Sequence, residues 1–93
     1  MRNRVEELID FVAEGHRRYK HMEDLTGIKA DSWKNACRGK QRFTQEMIEK
    51  MAEIWPQYAY WLVTGRTDEG NGHTSPILER IARDLKKVQR EEN

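Results

Sequence analysis

A chain of 93 residues, 35% of them charged, has room for one modest core and little more. That size excludes a buried catalytic cleft joined to a separate cofactor domain, and a single cysteine excludes an internal disulfide. The net charge of +1 hides an uneven distribution: residues 16–50 carry nine basic and five acidic groups, whereas residues 1–15 carry two basic and four acidic ones. Met1–Glu7 lacks the apolar run of a signal peptide, and no stretch approaches the roughly 20 apolar residues of a membrane span. The expectation is a cytoplasmic protein with no membrane partner.

In chain order, Asn3 reads as the cap of a first helix, with Glu6 completing a capping box. Val5, Leu8, Ile9 and Val12 fall at i, i+3, i+4 and i+7, and Gly15 ends the segment. From about His16 to Thr26, Tyr19, Met22 and Leu25 are spaced for one apolar face, and Gly27 turns the chain out of the helix. A short third helix runs from about Lys29 to Cys37. At 100° per residue, Trp33 and Ala36 point inward while Ala30, Asp31, Lys34, Asn35 and Arg38 share the opposite side. Gly39 supplies a left-handed cap, and Lys40-Gln41-Arg42 follows as a basic connector.

Thr44 is a good cap for a fourth helix, with Phe43 and Ile48 placed as a hydrophobic staple. Met47, Ile48, Met51, Ala52, Ile54 and Trp55 give that helix a wide apolar stripe, which Pro56 stops. A further short turn over Gln57 to Thr64 packs Tyr58, Trp61 and Leu62, and Gly65 closes the compact part, residues 1–65. Residues 66–75 contain glycine and asparagine and no apolar side chain, so they read as a flexible linker. Ser75-Pro76 then caps and opens a last helix over 76–93, where Leu78, Ile81, Leu85 and Val88 step 3, 4, 3. That stripe can pack back on the domain or pair with its twin across a two-fold axis. The preceding linker and the charged remaining faces favour the homodimer. No strand pattern or internal repeat is present, so the fold class expected is all-α.

From about Arg18 to Gly65 the chain resembles the helix-turn-helix domain of the phage-repressor type (Cro/CI-like), a five-helix DNA-binding fold. The resemblance is carried by Gly27-Ile28 at the turn, Trp33 at an apolar position of the recognition helix and Arg38-Gly39-Lys40 at its end. Met51-Ala52 and the closing Trp61-Leu62-Val63-Thr64-Gly65 stand in register with these. It implies double-stranded DNA as partner, with the second helix of the pair in the major groove. The family's base-reading positions fall on Lys29, Ala30, Asp31 and Asn35, with Lys34 on the same exposed face. Its phosphate-binding positions fall on Tyr19, Arg38, Lys40 and Arg42. Four residues depart from the pattern: Tyr19 replaces a glutamine, Lys29 replaces a capping serine, Gly15 lies one residue away from the family's glycine between helices one and two, and Glu23 stands where the family has a small alanine between the helices. A glutamate there implies either a different helix crossing or a side chain tilted out to solvent.

Asn35 is the strongest candidate for a base contact, since an amide can pair with both N6 and N7 of adenine. Asp31 can accept from a cytosine amino group, but a carboxylate in the first turn of a helix also serves the helix dipole. Lys34, Arg38, Lys40 and Arg42 suit sequence-independent attraction to phosphates. Trp33, Trp55 and Trp61 lie on apolar faces, as core residues do. Cys37 is a lone thiol near a helix end, and His16, His21 and His73 have no zinc-ligand spacing with it. No nucleophile and base pair, phosphate-binding glycine loop or carboxylate dyad is present, so neither enzymatic activity nor a cofactor is expected. The reading is a small repressor-like transcriptional regulator acting as a dimer on a near-palindromic operator. The alternative keeps the fold but uses it to bind or inhibit a protein partner, motivated by Asp31, Glu23 and the near-neutral total charge.

Overall fold

The computed structural model describes residues 2–13 and 15–92, with side chains described for residues 4–13 and 15–88. Six α-helices follow one another among the described residues: α1 (Arg2–Val12), α2 (Arg18–Thr26), α3 (Ala30–Cys37), α4 (Gln45–Ile54), α5 (Pro56–Thr64) and α6 (Pro76–Glu92). A single 3-10 turn, Glu69–Asn71, lies between α5 and α6. The all-α class expected from the apolar spacing is the class observed. No described helix is long and apolar enough to cross a membrane.

Local chemistry explains most of the boundaries. Gly27, Gly39 and Gly65 take the left-handed conformation at φ 78°, 79° and 77°, where a side chain would be strained, and each follows the last turn of a helix. Thr44 caps α4 by accepting from the Met47 amide at 3.1 Å. Pro56 ends α4 and also opens α5 at its first position, where a missing N–H costs nothing. The expected short turn over Gln57 to Thr64 is therefore a full helix of nine residues. Ser75 caps α6 through the Leu78 amide at 3.3 Å. At the other end, α1 already includes Arg2, so Asn3 lies inside the helix and is not its cap; the Asn3 side chain is outside the described residues.

The core joins all of the first five helices. Val5, Leu8 and Ile9 of α1 meet Met22 of α2, Trp33 and Ala36 of α3, Met47 and Met51 of α4, and Tyr58, Trp61 and Leu62 of α5. Burying this many large side chains, at about 25 cal/mol per Å² of apolar surface, is the main stabilising term for so small a domain. Trp33 and Trp61 are buried, and Trp55 packs half-buried against the cluster. Arg4 fastens the two ends together: its guanidinium donates to the carbonyls of Leu62 at 2.9 Å and Val63 at 3.2 Å, satisfying the open end of α5.

One apolar residue departs from its expected place. Leu25 is 43% exposed, because the inward position in the last turn of α2 belongs to Thr26, which stands 100° further round the helix. A polar residue takes that place because its hydroxyl is fully used, as described below.

Residues 66–75, expected as a flexible linker, carry local structure. The Asp68 and His73 backbones bridge each other at 2.8 and 2.9 Å around the 3-10 turn, and the Thr74 amide donates to the Gln57 carbonyl at 2.9 Å. The His73 ring lies 5.2 Å from that of Tyr60. Beyond it, α6 touches the domain near its start. Phe11 of α1 meets Tyr58 edge-on at 6.0 Å and receives the guanidinium groups of Arg80 and Arg83 at 5.4 and 5.0 Å. Every described side chain from Arg80 to Val88 is exposed.

Candidate nucleic-acid interface

The second and third helices form the most extensive helix pair in the molecule, joined only by Gly27, Ile28 and Lys29. Thr26 fixes the corner. Its hydroxyl donates to the Met22 carbonyl at 2.6 Å and accepts from the Ile28 amide at 3.2 Å and the Trp33 indole N–H at 3.3 Å. Since Trp33 has no exposed surface, its N–H needs a partner inside the protein, and Thr26 provides it. The inward side of α3 is thus fastened both by packing and by a hydrogen bond.

The far end of α3 is closed by a paired glycine cap. The Gly39 amide donates to the Ala36 carbonyl at 3.2 Å, and the Lys40 amide donates to the Asn35 carbonyl at 2.8 Å. This turn leaves Arg38, Lys40 and Arg42 exposed at the end of α3. The outward residues of α3 fall as the wheel predicts: Lys29 and Asp31 are exposed, and Ala30, Lys34 and Asn35 are half-exposed beside them.

Ion pairs leave this face open, as they do Arg17, Arg66, Lys86 and Lys87 elsewhere among the described residues. Arg18 pairs with Asp10, Lys20 with Glu23 and Asp24, Lys50 with Glu53, and Arg83 with Glu79. Among the described residues, Lys29, Lys34, Arg38, Lys40 and Arg42 form no ion pair. Five cations around one short helix, with Asp31 on the same face and Glu23 near Lys29 as the acidic groups beside them, leave a surface of net positive charge that attracts an anion.

Two residues have different surroundings from those expected. Tyr19, matched to a phosphate position, is half-buried against the core, and its hydroxyl accepts from Arg18 at 2.9 Å while the same guanidinium lies 4.9 Å over its ring. The Arg18 guanidinium is held more firmly charged by that hydroxyl, against some loss from burial. Glu23 neither separates the helices nor turns away to solvent. One carboxylate oxygen accepts from the Ala30 amide at 3.0 Å, across the turn, and the other accepts from Lys20. Those two donors, with Lys20 the stronger, hold its carboxyl below the usual range. Asp31 stays in the first turn of α3, as the dipole favours, but the hydrogen bond to the helix start comes from Glu23.

The sequence assigns no bonding role to Arg18, which ties α1 to α2, to Thr26, or to Glu23, although Thr26 opens the helical corner and Glu23 stands out as a departure between its helices. A signal for Glu23 was present: the Lys29 side chain cannot accept a hydrogen bond, so the start of α3 needs a side-chain acceptor from elsewhere. Cys37 is half-buried, and burial first, then Glu6, pushes its thiol up, so it stays protonated. On α6, Ile81, Leu85 and Val88 are exposed by 50%, 59% and 49%, and Ile77 joins them at 57%, whereas Leu78 is half-buried. The open stripe therefore runs 77, 81, 85, 88. Comparison of the chain with family models, with curated proteins and with solved structures gave no match.

Proposed function

We propose that this protein is a sequence-specific, double-stranded DNA-binding regulator of the repressor type, with α2, the Gly27 turn and α3 acting as a helix-turn-helix and α3 lying in the major groove. The observation that carries the reading is the set of five unpaired cations, Lys29, Lys34, Arg38, Lys40 and Arg42, around a helix whose other side is locked into the core. Arg38, Lys40 and Arg42 leave the end of α3 and serve as phosphate contacts, which fix register without reading sequence. Lys29, Ala30, Asp31, Lys34 and Asn35 face the bases, with Asn35 pairing to adenine. Tyr19 adds its hydroxyl to the phosphate side, beside an Arg18 that is shared with Asp10. The regulator acts in the cytoplasm as a homodimer, its two copies meeting along α6 through Ile77, Ile81, Leu85 and Val88 with Leu78 at the edge. Such a dimer suits two half-sites about 34 Å apart.

Fluorescence anisotropy on a selected duplex and on random-sequence duplex tests this. Asn35→Ala is expected to cost about 1–3 kcal/mol of discrimination between the two. Arg38→Ala is expected to weaken both alike and to reduce the salt slope by about 1. Equal affinity of the unaltered chain for all sequences, or no effect of either substitution, would count against the reading. The second reading, capture of a protein partner, keeps one observation in its favour: the open apolar stripe of α6. Salt-insensitive retention of a protein without retention of DNA would favour it.

A further inference from the structure

We propose that Glu23 is the positioning residue of the reading helix: supplied by α2, its carboxylate closes the first turn of α3 in place of the capping side chain that Lys29 lacks. The assignment of α3 as the reading helix rests on the function proposed above; the closure of the turn by Glu23 does not.

A helix begins with amide groups that have no partner within it, and the residue before it usually supplies a hydroxyl or carboxylate to one of them. Lys29 has the backbone of such a cap, φ −55° and ψ 140°, and its carbonyl accepts from Ser32 at 3.0 Å and Trp33 at 3.4 Å. Its side chain is an ammonium, a donor only, and makes no capping bond. The acceptor comes instead from seven residues earlier, where Glu23 reaches past Thr26 and Gly27 to the Ala30 amide at 3.0 Å. Lys20, one turn before it on α2, holds the second oxygen, so the carboxylate cannot swing freely. Its negative charge also lies at the positive end of the α3 dipole.

The arrangement matters for reading because of what else fastens α3. Trp33 and its bond to Thr26 hold the middle, and the Gly39 turn holds the end. Among the described residues, the first turn has one tie to another helix, the bond to Glu23. Lys29, Ala30 and Asp31 stand in that turn, so loss of the tie lets these base-facing positions fray while the core remains intact. Glu23 and Lys29 thus read as a compensating pair: the residue that gives up capping carries a cation to the exposed face, and a neighbour on α2 takes over the cap.

The test uses the full chain with Glu23→Ala, Glu23→Gln, and Glu23→Ala combined with Lys29→Ser. Amide exchange at Ala30 is compared with exchange at Met51 in the core. Glu23→Ala is expected to speed exchange at Ala30 about fivefold with Met51 unchanged. Glu23→Gln keeps an acceptor and most of the protection, whereas Lys29→Ser caps the Asp31 or Ser32 amide, so the combined variant regains a capped helix start while exchange at Ala30 stays fast. On DNA, both single substitutions remove a negative charge and strengthen binding to random duplex alike, but only Glu23→Ala lowers discrimination for the selected duplex. Unchanged exchange at Ala30 in Glu23→Ala, or equal acceleration at Met51, overturns the proposal. Equal loss of discrimination in the Gln and Ala variants overturns the positioning role, since charge would then be the cause. If the unaltered chain retains no DNA, the function proposed above falls, and the exchange result alone decides whether Glu23 closes the turn.

Discussion

Replacing Thr26 by valine removes one oxygen atom and leaves the shape of the side chain almost unchanged. The loss is nonetheless large, because the Thr26 oxygen serves three groups at once. The Trp33 indole N–H has no solvent to turn to, and a buried donor without an acceptor costs about 1–3 kcal/mol. The half-buried Ile28 amide adds a smaller cost, about 0.5–1 kcal/mol, and the Met22 carbonyl little, since it keeps its place in the helix ladder. The expected total is about 2–3 kcal/mol, a shift of about 10–20 °C in Tm for a domain of this size. Thermal unfolding followed by circular dichroism measures it. A double-mutant cycle identifies the cause: in the Trp33→Phe background the orphaned donor no longer exists, so Thr26→Val should cost about 1–2 kcal/mol less. The reasoning is refuted if Thr26→Val costs under about 0.5 kcal/mol, or costs the same in both backgrounds.

Arg4→Ala should lower stability by about 1–2 kcal/mol, because the Leu62 and Val63 carbonyls at the end of α5 lose their donor; chemical denaturation checks this, with an unchanged midpoint as the contrary result. Gly27→Ala meets nothing within 4 Å, so its cost is conformational, about 1 kcal/mol, from holding a side chain at φ 78°. The same change at Gly65 also presses on the Arg4 guanidinium 3.2 Å away, so it should destabilise more than the change at Gly27. Glu23 has a lowered folded pKa, so its contribution is full above the ordinary carboxylate range and is lost as pH falls through the folded value. The stability difference between the unaltered chain and Glu23→Gln should therefore stay constant near neutrality and shrink in acid; a difference that grows in acid would reverse the sign of the argument.

Signals that depend on neighbours within a few residues were legible in the sequence. The two faces of α3 follow from the spacing of Trp33 and Ala36, its end follows from Gly39, and the caps of α4 and α6 follow from Thr44 and Ser75. What was not legible depended on contacts across a turn or between helices. Leu25 looked inward by periodicity, yet Thr26 takes that position because a tryptophan seven residues on needs an acceptor. Glu23 reads from the sequence as an obstacle between helices; Lys29 shows that the start of α3 lacks a local acceptor, but only the carboxylate's place at Ala30 shows that Glu23 supplies it. The stripe on α6 was read from Leu78, but docking of the helix start against α1 turns Leu78 partly inward and brings Ile77 into line with Ile81. Periodicity gives the width of an apolar face, while its centre is set by the surface it meets.

Whether α3 reads DNA sequence, as proposed, is decided by selecting bound sites from a random-sequence duplex pool. The expected pool is enriched in an inverted repeat whose half-sites lie about one helical turn, roughly 10–10.5 base pairs, apart, with the enrichment lost in Asn35→Ala. A pool that emerges without any enriched motif, or one enriched identically by the Asn35→Ala variant, would contradict it.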